Sequence, residues 1–127
     1  MTILIPVSIG ELFDKLTILS IKEARITDPE KLVHIQSEKG LLNQIVATIP
    51  DSLALQNLVA QLHKTNMALW EVEDQLRVLE REKNFSELFI HLARQVYTLN
   101  DHRFFVKSQI NQMCDSCIIE EKSYAAY

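Results

Sequence analysis

Apolar residues recur at steps of three and four along most of the chain, the spacing that places them on one face of an α-helix. Two segments carry this pattern furthest without a glycine or proline, and each predicts one long helix. The first runs from the break at residues 50–52 to about Lys83, and the second continues from a cap signal at residues 84–87 to about Cys117. The repeating positions are Leu55, Leu58, Leu62, Leu69, Val72, Leu76 and Leu79 in the first, and Phe85, Phe89, Leu92, Val96, Leu99, Val106, Ile110, Met113 and Cys117 in the second.

Two shorter helices are predicted in the N-terminal half. Ser8 and Glu11 have the spacing of a capping box, in which each side chain satisfies a backbone amide, so the first helix runs from about residue 9 to 26. Capping residues and a proline at residues 27–30 then start a second helix, which continues to about Ile49 with Gly40 as its weak point.

These elements predict a single all-α domain over residues 1–127. Residues 2–7 form a short β-prone arm that leads into the first helix. Short connections between the four helices favour an up-down-up-down helical bundle with two short and two long antiparallel helices.

The long helices are expected to reach beyond the short ones, at about 45–50 Å against about 27–30 Å. The tip of the long hairpin, residues 69–99, would then keep an apolar stripe that its own chain does not cover. This predicts a homodimer in which two hairpin tips pack together, with Met67 and Trp70 as anchors. The alternative is that one long helix breaks and folds back.

A few polar residues interrupt the apolar faces. Glu23 falls on the apolar face of the first helix, and Thr65 and Arg103 occupy seam positions of the long helices, with Asn66 and Asn100 nearby. Their heights in the bundle predict a polar layer in which Glu23 faces Arg103. One interpretation is an ion pair that fixes helix register. The other is a small cavity where Arg103, Asn100 and Lys107 hold an anionic ligand.

Carboxylates offer a second candidate site. Glu11 and Asp14 form an E-x-x-D pair, and Glu71 and Asp74 form another, a spacing that can hold Mg²⁺. Four such carboxylates would resemble the all-α nucleotide pyrophosphatases, although the two pairs lie much further apart here than in that family. The alternative is solvated surface charge, shared with the basic residues Lys15, Lys22 and Arg25 on the same face of the first helix.

Composition excludes several classes of function. The formal net charge of −4 gives no electrostatic attraction to nucleic acid. No apolar run approaches the roughly 18 to 20 residues that span a bilayer, and residues 1–7 lack the features of a signal peptide, so we expect a cytoplasmic protein.

Cys114 and Cys117 have C-x-x-C spacing without a second metal-binding motif, which favours reduced, partly buried thiols. Nothing in this composition requires a cofactor.

Four segments together resemble an uncharacterised family of small bacterial all-α proteins. They are VSIGELFDKLTILSIK (residues 7–22), LWEVED (69–74), VYTLNDHR (96–103) and EEKSY (120–124). The resemblance implies a bacterial, cytosolic, free-standing helical protein and carries no known activity. It directs mutagenesis first to Glu11, Asp14, Lys15, Asn100, Asp101, Arg103 and residues 120–124.

Two functions follow from these patterns. The first is a non-enzymatic helical interaction protein that self-associates through its long hairpin. The second is a protein that binds a small anion, or a Mg²⁺-dependent enzyme, using helix-borne carboxylates and Arg103. A deep concave pocket beside Arg103 would favour the second.

Overall fold

The computed structural model describes residues 1–127 and contains four α-helices and no β-strand. The helices are α1 (Ile9–Arg25), α2 (Pro29–Val46), α3 (Leu53–Arg81) and α4 (Glu87–Met113). The predicted all-α helical bundle is confirmed. No helix is both long enough and apolar enough to cross a membrane.

Local capping explains where the helices begin. The side chains of Ser8, Asp28 and Ser52 each accept a hydrogen bond from a backbone N–H in the first turn of α1, α2 and α3, at 3.1, 3.0 and 3.1 Å. These bonds satisfy donors that have no partner inside the helix. Because caps are encoded locally, the predicted helix starts lie within a few residues of those observed.

The C-terminal ends of the long helices are less regular than predicted. Lys83 and Asp115 adopt left-handed backbone conformations, with φ of 56° and 52°. The Ser116 N–H then donates to the Asn111 carbonyl at 2.8 Å, which closes α4 as a Schellman-type cap. The prediction that α4 continues through Cys117 is therefore wrong, because the chain reverses after Met113.

The packing places α1 at the centre of the molecule. α1 packs against all three other helices, whereas α2 packs against α1 alone. Phe13 of α1 meets Leu62 of α3 and both Val106 and Ile110 of α4 in the main apolar core. Contacts such as Gly10 with Asn111, near the end of α4, place α1 antiparallel to α4. The bundle is thus α1, α3 and α4, with α2 as an outer layer.

The α3–α4 hairpin extends well past α1. With 29 residues against 17, α3 is about 44 Å long and α1 about 26 Å. Both long helices are continuous, so the fold-back alternative is wrong. The hairpin tip has its own small core built around Val72, Leu79 and Leu92. Part of its apolar surface remains exposed, at Val78, Phe85, Leu88 and Ile90.

Candidate functional site

A buried carboxylate lies where α1 meets the α3–α4 hairpin. Gly10, Asp14, Thr17 and Ile21 are all buried and are spaced by four, three and four residues, so they form one inward stripe on α1. The Asp14 side chain is only 1% exposed. Burying a carboxylate is costly unless it is paired, so its partners define the site.

Asp14 is fully paired across the bundle. Arg103 of α4 donates from Nε to Asp14 Oδ1 at 2.9 Å and from Nη2 to Oδ2 at 2.5 Å, a bidentate geometry that matches the planar guanidinium to the carboxylate. Asn66 of α3 donates from Nδ2 to Asp14 Oδ1 and to Thr17 Oγ1, both at 2.9 Å. One carboxylate therefore joins three helices.

The predicted pairing of Glu23 with Arg103 is wrong. Glu23 is bonded to Lys39 of α2 at 3.3 Å, on the outer side of α1. Glu23 follows Asp14 by nine residues, which at about 100° per residue places the two side chains on opposite sides of the helix. The polar layer exists, but Asp14 supplies its carboxylate.

The amides expected around this layer are present. Asn66 bonds to Asp14, and Asn100 Oδ1 accepts a hydrogen bond from Arg103 Nη1 at 3.4 Å. Thr65 does not take part, because its hydroxyl donates to the Gln61 carbonyl of its own helix at 2.9 Å.

Lys107 is the second cation of the site, and its side chain is 7% exposed. Its Nζ lies 2.7 Å from Glu11 Oε2, 2.9 Å from Glu120 Oε2 and 3.8 Å from Asp14 Oδ2. Glu120 belongs to the C-terminal tail, residues 114–127, which continues past α4 without further helix. Its Oε2 is buried and makes no hydrogen bond, so the ion pair with Lys107 is its one polar contact.

Both cations are held in their charged form. The hydrogen bonds to Asp14 outweigh burial and raise the pKa of Arg103. Burial alone would lower the pKa of Lys107, but its ion pairs with Glu11 and Glu120 and the nearby Asp14 charge raise it instead. Neither side chain is therefore suited to act as a base near neutral pH.

The start of α1 is fixed directly onto α4. The Gly10 N–H donates to Asn111 Oδ1 at 2.6 Å, and the Ile9 N–H donates to Ser116 Oγ at 3.2 Å. A Cβ atom at Gly10 would lie 2.6 Å from the Lys107 carbonyl oxygen, so only glycine permits this approach. The predicted capping box is half formed, because Ser8 caps Glu11 but the Glu11 carboxylate turns to Lys107.

A groove of about 1130 Å³ opens beside Arg103, between α4 and the C-terminal tail. Arg103 and Lys107 lie on its inner wall, and Lys122 of the tail projects from the other side. Lys122 Nζ lies 5.4 Å from the centre of the Phe104 ring and 5.5 Å from that of Tyr124. The full lining is Glu11, Val96, Tyr97, Asn100, Asp101, Arg103, Phe104, Lys107, Glu120, Lys122, Tyr124, Ala125, Ala126 and Tyr127.

The groove gathers five of the candidate residues identified from the sequence. Glu11, Asn100, Asp101, Arg103 and Lys107 all line it, and Asp14 lies beneath it, bonded to Arg103. Asp101 accepts a hydrogen bond from the Tyr127 hydroxyl at 2.6 Å, which fastens the end of the tail.

The remaining basic candidates lie elsewhere. Lys15 forms an ion pair with Glu38 of α2 at 2.9 Å, and Arg25 forms one with Glu71 of α3. Lys22 is half-buried and belongs to no ion pair. Lys15 and Arg25 thus connect α1 to its neighbours outside the groove.

The four carboxylates considered for Mg²⁺ do not converge. Glu11 is bonded to Lys107 and Glu71 to Arg25, at opposite ends of α1, and Asp14 is committed to Arg103. Asp74 lines a separate shallow pocket on the other side of Arg103. No group of three or more acidic, histidine or cysteine side chains is arranged to hold a metal ion. The four-carboxylate arrangement predicted from the two E-x-x-D pairs is therefore not formed.

The cysteines occupy the junction between α4 and the tail. Both are free thiols; Cys114 is partly buried and Cys117 is exposed. Burial raises the pKa of the Cys114 thiol, which disfavours the nucleophilic thiolate. The expectation of partly buried thiols thus holds for Cys114 only.

Two features of the site escaped the sequence patterns. One is the inward direction of Asp14, which the spacing of Gly10, Asp14, Thr17 and Ile21 does signal once small and polar residues are counted with apolar ones. The other is the pairing of Glu120 with Lys107, for which the tail offers no periodic pattern; only the resemblance in residues 120–124 pointed there.

Comparison with known proteins identifies one family. The model of a family of unknown function (DUF6165) matches residues 3–127. No curated protein and no solved structure gives a significant match.

Proposed function

The chain belongs to the DUF6165 family of unknown function, and we propose that it is a binding protein that holds a small organic anion in the groove between α4 and the C-terminal tail. The observation that carries the proposal is the position of Lys107. Its ammonium group is nearly buried at the groove wall, and one of its counter-ions, Glu120, comes from a segment outside the helical bundle.

The two cations of the groove have different roles in this proposal. Arg103 uses its Nε and Nη2 groups on Asp14, so it fixes α1 against α4 as a structural ion pair. Lys107 is a compact charge that can exchange one carboxylate for another with little change in geometry. It is therefore the residue that binds the anion, and Arg103 supports it.

The groove also offers surface for the uncharged part of a ligand. Tyr97, Phe104, Tyr124 and Tyr127 line it, together with the side chains of Val96 and two alanines. Aromatic and apolar walls with a few convergent polar groups are typical of small-molecule sites. An anion that carries an aromatic or aliphatic body would use both parts of the groove.

Isothermal titration calorimetry with phenylacetate, octanoate and phenyl phosphate tests the proposal. We expect at least one to bind the wild-type protein, and we expect Lys107→Gln/Glu120→Gln to weaken that binding about tenfold or more, because it replaces the ion pair with amides at constant net charge. The matched control is Lys15→Gln/Glu38→Gln, which removes an ion pair on the α1–α2 side and should bind normally. A folded protein that binds none of these anions would contradict the proposal.

Self-association is a second candidate function, favoured by the exposed apolar segments at both ends of the molecule. Ile3, Leu4 and Ile5 of the N-terminal arm are 75, 92 and 70% exposed, and Phe85 and Ile90 at the hairpin tip are 53 and 55% exposed. Such surface is commonly covered by a partner. The proposed partner is a second copy of the chain.

Native mass spectrometry of protein purified without added ligand tests anion binding and self-association in one measurement. A dimer mass would support self-association, and Phe85→Ser/Ile90→Ser should shift it towards monomer if the hairpin tips meet. A monomer by light scattering at micromolar concentration would exclude the dimer. Any retained small molecule would appear as added mass in the same spectrum.

A further inference from the structure

The anion paired with Lys107 is supplied by a loosely packed part of the chain. Every residue from 117 to 127 is exposed except Glu120, which is half-buried. Beyond the Glu120 pair, polar contacts between this segment and α4 are few: Lys122 Nζ donates to the Asn100 carbonyl at 3.4 Å, and Tyr127 donates to Asp101. The Tyr97 and Tyr127 rings also meet edge to face, with centres 5.1 Å apart.

We infer that the C-terminal tail acts as an internal ligand, and that the protein binds a singly charged organic carboxylate whose carboxylate group replaces that of Glu120 on Lys107. This inference rests on the proposed function and specifies its ligand and its regulation. In the free protein the tail lies along the groove with Glu120 on Lys107. In the bound protein the ligand carboxylate occupies that position and the Glu120 side chain turns out to solvent, while the rest of the tail still forms the outer wall of the groove.

Charge balance selects a carboxylate over a phosphate. Glu11, Asp14 and Glu120 surround Lys107, and the nearby Arg103 is committed to Asp14. Exchanging Glu120 for another monoanion leaves the charge of this cluster unchanged. A phosphate monoester carries about −1.5 to −2 at neutral pH, so it would add negative charge beside two fixed carboxylates.

The difference between the three carboxylates explains why Glu120 is the one displaced. Asp14 is buried and hydrogen-bonded to Asn66 and Arg103, and Glu11 belongs to the first turn of α1, whose start is fixed onto Asn111. Glu120 has Lys107 as its one side-chain partner, and its own side chain is 39% exposed. Releasing it requires no helix to move.

An internal competitor lowers the apparent affinity for an added ligand by the fraction of molecules that are open. Removing the competing charge should therefore tighten binding. The chain contains a matched control, since Glu121 is the next residue, carries the same charge and is exposed without an ion pair.

The experiment measures binding of phenylacetate and phenyl phosphate to the wild-type, Glu120→Gln and Glu121→Gln proteins by isothermal titration calorimetry. We expect Glu120→Gln to bind phenylacetate about fivefold more tightly than wild type, and Glu121→Gln to match wild type. In ¹⁵N NMR spectra of the wild-type protein, the tail amides next to Glu120 should shift on saturation with phenylacetate, while those of α1 stay in place.

The possible outcomes separate this inference from the proposed function. Equal phenylacetate affinity in all three proteins, or tail amides that do not move, overturns displacement of Glu120 but leaves anion binding in the groove. Tighter binding of phenyl phosphate than of phenylacetate overturns the carboxylate assignment alone. Absence of binding by all three proteins overturns the proposed function together with this inference.

Discussion

Helices α1 and α2 are nearly equal in length, at 17 and 18 residues, and each begins with a side-chain cap, yet they have opposite positions in the molecule. α1 buries eight residues and packs against three helices, whereas α2 buries only Ile35 and packs against one. Length and capping therefore decide that each segment is helical. They do not decide how deeply it is buried.

The difference lies in the distribution of side chains around each helix. α1 has an apolar face and, beside it, the inward stripe of Gly10, Asp14, Thr17 and Ile21, so two of its sides can be covered. The apolar residues of α2 are spread around its circumference, and Val33, Leu41 and Ile45 are at least half exposed. Residues that share a face, polar or apolar, are therefore buried in α1, whereas the apolar residues of α2, which share no face, stay largely exposed.

The largest expected effect is that of removing the buried carboxylate of α1. Asp14→Ala leaves Arg103 without its main partner and removes one of the two acceptors of Asn66, and we expect it to lower the free energy of unfolding by about 3 kcal/mol. The value is at the lower end for a buried ion pair because the Arg103 side chain is 29% exposed and remains partly hydrated. Urea denaturation followed by circular dichroism measures the difference.

The matched substitution on α2 is Glu38→Ala, which breaks the solvent-exposed pair with Lys15. We expect it to change stability by less than about 0.5 kcal/mol, as exposed ion pairs usually do. Equal costs for the two substitutions would mean that Asp14 is not the centre of the α1 interface.

The sequence predicts the fold more completely than the site. The helices depend on interactions between residues close together in the sequence, whereas the site depends on interactions between residues far apart in it. Helix starts at Ser8, Asp28 and Ser52 follow from bonds between residues two or three apart, and the lengths of α3 and α4 follow from an uninterrupted apolar repeat. Arg103, Asn100 and Lys107 were predicted together because they share α4 and its inward face.

The partners of those residues could not be predicted in the same way. Arg103 and Asp14 are 89 residues apart, and choosing Asp14 over Glu23 requires knowing that a second side of α1, away from Glu23, is also buried. Glu120 reaches Lys107 through an extended tail that has no repeat to define its path. Long-range pairing and irregular backbone are therefore what the structure adds to the sequence.

The two glycines of the chain test the difference in burial between α1 and α2, with smaller expected effects on stability than that of Asp14→Ala. At Gly10, the Cβ of an alanine would lie 2.6 Å from the Lys107 carbonyl oxygen and 2.9 Å from Asn111 Oδ1, so α1 and α4 must move apart. We expect Gly10→Ala to lower the free energy of unfolding by about 2 kcal/mol, the cost of overpacking against backbone that cannot rotate away.

At Gly40, in the middle of α2, no atom lies within 4 Å of the added Cβ. Gly40→Ala should therefore raise stability by about 0.5–1 kcal/mol, because alanine favours the helix and loses less entropy on folding. Thermal and urea unfolding of the two variants measure both changes. Opposite signs would support the central position of α1 and the open position of α2, and stabilisation by both alanines would show that α1 does not approach α4 as closely as the Gly10 contacts require.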